Sequence, residues 1–414
     1  MMHPLSVFVA YQFESPHIKK DDRDKAIASA IRKTNENLRR RHPHHEITWA
    51  GFGLRSGEHI GTQLVETIAD CDIFVADLSE FNLNVVFELG VAYGLQRSTA
   101  KKFSITYGLK QQTLKKLLWL AHESVDWRTF PADLSGLYFV PYGKEPFADV
   151  LATRIPELCL ALIEERQEAD ALRTLRKFWN LSAVSSTDIV CSEIPDDVRS
   201  PFASADNANY IRYAAFADLD SFINLKTRIA EISPGEIIRE YLPREYRVSN
   251  HDKLIVIGGP VWNPVAKNMQ RRLPFYFESA PNDQDSPLIV ENAKRRRLPP
   301  VRKNDRKRTL LRDISVFARL GSTKMVSGCL TFGGLSASKC FIDREIGASN
   351  VSYIEERVDG ADFVVVYEAH LTGLTGDVST PNFSDHEPLI LMKRDKRSDN
   401  FSMVLDNSET AESR

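Results

Sequence analysis

Cys71-Asp72-Ile73-Phe74-Val75-Ala76-Asp77-Leu78-Ser79-Glu80-Phe81-Asn82-Leu83-Asn84-Val85-Val86-Phe87-Glu88-Leu89-Gly90-Val91-Ala92-Tyr93-Gly94-Leu95 decides the fold of the N-terminal part of this chain. It reads as a buried strand, a polar loop, and a helix that is apolar almost throughout yet carries one carboxylate, Glu88. A lone carboxylate among apolar side chains is costly unless something requires it there.

Upstream, Leu5 to Tyr11 reads as a strand, Asp22 to Arg41 as a basic amphipathic helix, Glu46 to Ala50 as a short strand and Gly57 to Ala69 as a helix. Strands alternating with helices predict a parallel, doubly wound α/β sheet of flavodoxin-like type. Downstream, Phe103 to Tyr107 and Leu137 to Tyr142 are expected to extend that sheet. A charged helical stretch, 148–184, is expected to connect residues 1–147 to a second α/β domain over 185–398, with 399–414 a flexible tail. In the second domain Leu254 to Ile257 reads as a buried strand ending in Gly258-Gly259-Pro260-Val261-Trp262-Asn263-Pro264. The segment 294–308, KRRRLPPVRKNDRKR, reads as an exposed, mobile basic loop.

The chain has 414 residues, 43% of them apolar, enough for two domains with full cores. Its net charge of -2 supplies no global attraction to nucleic acid or membrane, so any basic surface must be local. The five cysteines are scattered without a CxxC pair, as expected of reduced residues in a cytosolic protein. His42, His44 and His45 flank a proline with no carboxylate or thiol to complete a set, so no metal is expected.

In doubly wound sheets ligands bind outside the carboxyl ends of the strands, where Asp77, Ser79, Asn82 and Asn84 fall. Asn84 is placed to cap the following helix, which would put Glu88 near a helix N-terminus and keep it ionised. A carboxylate in a partly apolar crevice suits cleavage of an N-glycosidic bond, by attack on the sugar C1 or by stabilising its oxocarbenium charge. Asp77 would then hold a ribose hydroxyl or position water, Tyr11 and Phe13 offer stacking faces, and Arg55 before a helix start suits phosphate. Gly90 and Gly94 predict a stripe open to close backbone approach. In the second domain Gly258, Gly259 and Asn263, with Gly333 and Gly334 opposite, outline a second candidate ligand site.

Arg55, Gly57, Cys71-Asp72, Ala76-Asp77-Leu78-Ser79, Asn82, Asn84-Val85 and Phe87-Glu88-Leu89-Gly90-Val91-Ala92 resemble the TIR-like and nucleoside 2-deoxyribosyltransferase-like nucleotide-binding proteins over residues 5–145. The resemblance implies that Glu88 is catalytic, that the substrate is a nucleotide, with NAD as substrate rather than cofactor, and that the chain self-associates. It further implies hydrolysis of NAD as an effector of antiphage defence, with the second domain sensing a signal or holding an oligomer. Asn82-Leu83-Asn84-Val85 stands where the transferases carry an acidic residue followed by Gly-Thr, which favours hydrolysis over base exchange. The alternatives are a 2-deoxyribosyltransferase or hydrolase of (deoxy)nucleotides, a non-catalytic nucleotide sensor, and a nucleic-acid-associated protein acting through the basic loop.

Overall fold

The computed structural model describes residues 3–49, 60–107, 115–126, 130, 138–182, 185–247, 253–278, 287–291, 295–304, 306, 308–372, 377–395 and 400–411, with backbone alone for 3, 60, 97–107 and 410–411. The chain divides into two units, Met1–Ala169 and Asp170–Arg414. No helix among the described residues is long and apolar enough to cross a membrane.

The first unit runs β1 (His3–Ala10), α1 (Lys20–Arg41), β2 (His45–Trp49), α2 (Ile60–Asp70), β3 (Ile73–Asp77), α3 (Leu83–Tyr107), β4 (Lys116–His122), β5 (Val140–Tyr142) and α4 (Phe147–Trp179). The strands pair in parallel in the order β2-β1-β3-β4-β5. This is the doubly wound arrangement read from the alternating pattern. Strand β3 is buried at all five positions because helices cover both faces of the sheet. Its residues alternate between two cores. Ile73 and Val75 pack with Leu5, Val7 and Leu120 and with Ile27 and Ala30 of α1. Phe74 and Ala76 pack with Phe8, Trp119, Ile68 of α2 and Val85, Leu89 and Ala92 of α3.

One expectation fails here. Residues 103–107 do not form a strand; their backbone continues α3. Their β-branched and aromatic content is a weak, context-dependent preference, and the sheet position goes instead to β4, whose Leu118-Trp119-Leu120-Ala121 run is buried. The stretch expected to connect the domains is helical, α4. Phe147, Leu151, Ile155 and Leu162 are in the first unit's core, while Leu175, Phe178 and Trp179 are in the second's.

The second unit contains β6 (Ser186–Cys191), α5 (Leu219–Ile232), β7 (Ile237–Tyr241), β8 (Leu254–Ile257), α6 (Pro264–Gln270), β9 (Phe275–Phe277), β10 (Leu288–Val290), β11 (Arg296–Leu298), β12 (Val301–Arg302), β13 (Leu310–Leu320), β14 (Thr323–Gly328), α7 (Thr331–Cys340), α8 (Gly347–Val358), β15 (Phe363–Thr372), β16 (Asp377–Val378), β17 (Ile390–Arg394), β18 (Phe401–Asp406) and α9 (Ser408–Ala411). Its large sheet is mixed, in the order β18-β17-β15-β13-β14-β8-β6-β7. The four strands from β14 to β7 are parallel and the rest antiparallel.

The tail expected to be flexible from residue 399 supplies the edge strand β18 instead. Phe401 and Met403 pack on one core and Val404 and Leu405 on the other, the alternation breaking at the register shift opposite Leu391 and Met392. The basic segment is likewise not a mobile loop. It forms β11 and β12, with Leu298 and Pro300 buried. Two of its charges are paired, Arg296 with Asp406 and Glu409 and Arg297 with Glu278. The apolar centre Leu298-Pro299-Pro300-Val301 decides the outcome, because exposed ion pairs contribute little by themselves. Leu298→Ala should therefore cost ~2–5 kcal/mol in urea-monitored unfolding. Arg297→Ala should stay within ~0.5 kcal/mol of the parent.

Candidate active site

Strand β3 ends on Asp77, whose carboxylate is enclosed by three elements. Arg23, in the first turn of α1, places its guanidinium 2.9 Å from Asp77 Oδ2, and both side chains have 0% exposure. The Tyr142 hydroxyl at the end of β5 donates to the same oxygen at 3.0 Å. The Ser79 hydroxyl donates to Oδ1 at 2.6 Å and accepts from the His122 backbone N–H, at the end of β4, at 2.7 Å. Burial and the neighbouring Asp77 charge together push the Tyr142 phenol well above its ordinary pKa. Asp77 was expected to hold a ribose hydroxyl or a water. Its oxygens are instead occupied and hidden, and it acts as a positioning residue that aligns the ends of β3, β4 and β5. Ser79 is spent in the same network.

The loops around this network form the rim of the crevice. Asn82 donates to the Gln12 side chain at 3.1 Å, tying the loop after β3 to the loop after β1. Its own Oδ1 accepts from the Asn84 N–H at 2.8 Å, so Asn82 caps α3. The expectation that Asn84 is the cap is corrected: it lies inside the first turn and is exposed. The preceding Phe81 has φ 47°, a left-handed conformation that costs a bulky residue energy and sets the turn. Tyr11 is held in place by a hydrogen bond to Asp24 and by its ring, 5.0 Å from the Arg23 guanidinium. Phe13 is 65% exposed, contacts Tyr11 edge-on and has the Lys20 ammonium 4.8 Å from its ring centroid, so it is the exposed rim aromatic. Arg55, Ser56 and Gly57 lie outside the described residues.

The sequence did not single out Arg23, Gln12, His17, His122 or Tyr142. The His17 ring stacks on that of His122 at 4.1 Å, and His122 meets Tyr142 edge-on at 5.3 Å. Arg23 was hidden by the other charges of α1, which reads as a solvated basic face. The signal that could have exposed it is its position, one turn into the helix that follows the first strand.

Glu88 differs from Asp77 in every respect. It makes no hydrogen bond or ion pair among the described residues, and burial alone pushes its carboxyl up to about 7. The expectation that the helix terminus keeps it fully ionised is corrected. Glu88 is the sixth residue of α3, beyond the first turn in which the dipole acts, and desolvation by its apolar neighbours prevails. The helix is also less buried than its composition predicts. Val85, Leu89 and Ala92 face the core, while Leu83 and Phe87 are exposed. A Cβ at Gly90 or Gly94 would meet nothing within 4 Å among the described residues, so the expected close approach at that stripe is absent from them.

In the second unit the five expected residues have different fates. Asn263 is fully buried and fully used, accepting from the Val265 and Ala266 N–H groups and donating to the Ile257 and Val190 carbonyls. It caps α6 and has no capacity left for a ligand. Gly333 serves packing, since a Cβ there would stand 2.3 Å from the Ile314 carbonyl oxygen. Gly258 leaves no room for a side chain, since a Cβ there would lie 1.7 Å from Ser192 Oγ and 2.3 Å from Asp218 Oδ2, while Cβ atoms on Gly259 and Gly334 would meet Ser327, Asp218 and Ser221 at ordinary contact distance.

No family model and no curated protein matches the sequence. Among solved structures, the CMP N-glycosidase BcmB of Clostridium botulinum is similar at 19% identity, with a TM-score of 0.22. The match covers 35% of this chain and 97% of that one. A likeness of that degree carries no inference about the site.

The two carboxylates lead to opposite stability effects. Arg23→Met strands a buried charge on Asp77 and should destabilise the first unit by ~3–5 kcal/mol. The Glu88 carboxyl is raised above its unfolded pKa, so the folded state binds the extra proton between about pH 4.5 and 7 and loses stability as pH rises through that window. Glu88→Gln should therefore melt higher than the parent at pH 8, and the difference should vanish as pH falls below about 4.5.

Proposed function

We propose that the first unit is a nucleotide N-glycosidase that hydrolyses NAD, with Glu88 as its catalytic carboxylate. The observation that carries the reading is Glu88 itself, an unpaired carboxyl raised to about 7 on the helix that follows the β3 loop at the carboxyl edge of a parallel sheet. Around neutrality it is part ionised, and the partly desolvated anion is stabilised by nothing else among the described residues, so it gains most when positive charge develops beside it. Cleavage of the C1–N bond generates that charge on the ribose. Nicotinamide already carries a positive ring nitrogen in NAD and leaves as a neutral base, so its departure needs no proton donor. A single carboxylate suffices, and water then adds to C1 with loss of a proton. Phe13 is the face against which the ring would stack.

The resemblance noted from the sequence extends this reading to an effector of antiphage defence, in which the second unit senses a ligand or holds an oligomer. It also marks nucleoside monophosphates and deoxynucleosides as the competing substrates.

Incubation of the full chain with NAD, nucleoside monophosphates and deoxynucleosides, followed by mass spectrometry, should yield nicotinamide and ADP-ribose. Glu88→Gln should reduce kcat by on the order of 10²–10³-fold or more. The ionised form is the active one, so kcat should fall on the acid side of about pH 7. Consumption of no substrate by the parent protein, or full activity in Glu88→Gln, would sink the proposal.

A further inference from the structure

Strand β15 lies inside the large sheet of the second unit, between β13 and β17, yet one of its residues has no backbone partner on one side. In antiparallel pairing the N–H and C=O of a residue point the same way, and successive residues point to opposite neighbours. Glu368 stands opposite Ile314 of β13. Ile314 gives its carbonyl to the Cys329 N–H on its other side, and His370, two residues beyond Glu368, gives its carbonyl to the Ser379 N–H. Both bonds fix the same alternation. The N–H and C=O of Glu368 point away from β13.

On that side two strands approach and neither arrives. Strand β17 pairs with β15 as far as Ile390, opposite Val366, and its register continued would place Pro388 opposite Glu368. Strand β16 comes from the other direction, Val378 opposite Leu371, and its register continued would place Pro381 there. Proline has no N–H to offer the Glu368 carbonyl. The proline carbonyls are taken up elsewhere, that of Pro381 by the Asn350 side chain at 2.7 Å and that of Pro388 by Asn407 at 3.3 Å. The main-chain donor and acceptor of Glu368 therefore have no partner among the described residues, which is rare within a sheet.

A cavity of about 730 Å³ opens at this notch, with Glu368, Pro381, Phe383 and Leu389 in its lining. Phe383 and Leu389 are buried and supply an apolar floor, whereas His370 and Glu387 are exposed at the mouth. An apolar floor with a few fixed polar groups is how small-molecule sites are built. The neighbouring outward residues, Val366 and His370, are already paired. A peptide strand finds no run of free groups here, so the fit is to a compact ligand. It must present an acceptor beside a donor, as a carboxamide or the edge of a nucleobase does. The lining carries one permanent cation, Arg312, against the carboxylates of Glu368, Asp385 and Glu387, beside the imidazoles of His370 and His386. Arg312 is held by Glu368 at 2.6 Å, and the remaining negative charge repels phosphate.

We propose that this notch binds a free, uncharged base of the kind that N-glycosidic cleavage releases. Its adjacent donor and acceptor complete the sheet at Glu368, and its ring lies over the floor of Phe383 and Leu389. Nicotinamide, adenine, cytosine and uracil all carry such a pair. The inference rests on the glycosidase reading for the source of the ligand, and the site itself does not involve Glu88.

Hydrogen exchange resolved to single amides reads the site directly, in the full chain carrying Glu88→Gln so that no nucleotide is consumed. Without ligand the Glu368 amide should exchange faster than those of Tyr367 and Ala369, which face Ser315 and Asp313 of β13. At least one of the four bases should slow it about tenfold or more at saturation. The same base fully methylated on its donor nitrogen, or carried in its parent nucleotide, should not protect it at that concentration. In calorimetric titration Glu368→Pro, which removes an N–H that β13 does not use, should bind the base at least about tenfold more weakly than Glu368→Ala, which keeps it. Should Glu368→Pro not fold, the exchange measurement decides. A Glu368 amide as slow as its neighbours without ligand overturns the proposal. So does protection by none of the bases, equal protection by the parent nucleotide, or equal binding by the two folded variants. Base binding in a protein that hydrolyses no NAD removes only the catalytic reading, and NAD hydrolysis without base binding removes only this one.

Discussion

The ion pair between Arg23 and Asp77 organises the first unit. With both side chains at 0% exposure, neither charge has water to fall back on, so each must keep its partner. That requirement pins the first turn of α1 to the end of β3. Through Tyr142 and Ser79 it also brings the ends of β5 and β4 into line. The crevice at the carboxyl edge of the sheet has its shape because one carboxylate is satisfied from three sides.

Against that background Glu88 is informative because no described residue does the same for it. Two carboxyl groups in one small unit have opposite surroundings, one neutralised by a guanidinium and one desolvated and unpaired among the described residues. Environments that separate two titratable groups in this way mark a division between structure and chemistry. The second unit repeats the contrast. Asp313 takes three backbone N–H groups and closes a helix terminus, whereas Asp218 is packed over Gly258 next to Ser192 and leaves its helix uncapped. Burial pushes the Asp218 carboxyl upward, offset in part by its hydrogen bond with Ser192.

Some of this was legible residue by residue. The alternation of strand and helix patterns, the fully buried Ile73–Asp77 strand and the polar loop after it follow from local periodicity, which a doubly wound sheet preserves. Glu88 was visible because one charge in an apolar helix needs no partner to be conspicuous. The errors have a common origin in contacts between residues far apart in the chain. Asp77 reads as a ligand group until Arg23, 54 positions earlier, is found against it. The basic run at 294–308 reads as solvated until Asp406 and Glu409 arrive from the C-terminal end. Residues 399–414 read as a tail because a short edge strand has no signature apart from the strand it joins.

Sequence alone therefore determined the alternating strands and helices of the first unit through β3 and the start of α3, since apolar periodicity is a local property of the chain. It also determined that a carboxylate would follow the third strand within a helix. Tertiary structure decided what each polar group does. Whether Asp77, Ser79 and Asn263 face a ligand or are used up by groups of their own unit, and whether Glu88 is ionised by a helix terminus or raised by desolvation, depends on which other parts of the chain share their space. Burial, which sets the cost of every charge and hydroxyl, is a property of the folded chain and not of any segment of it.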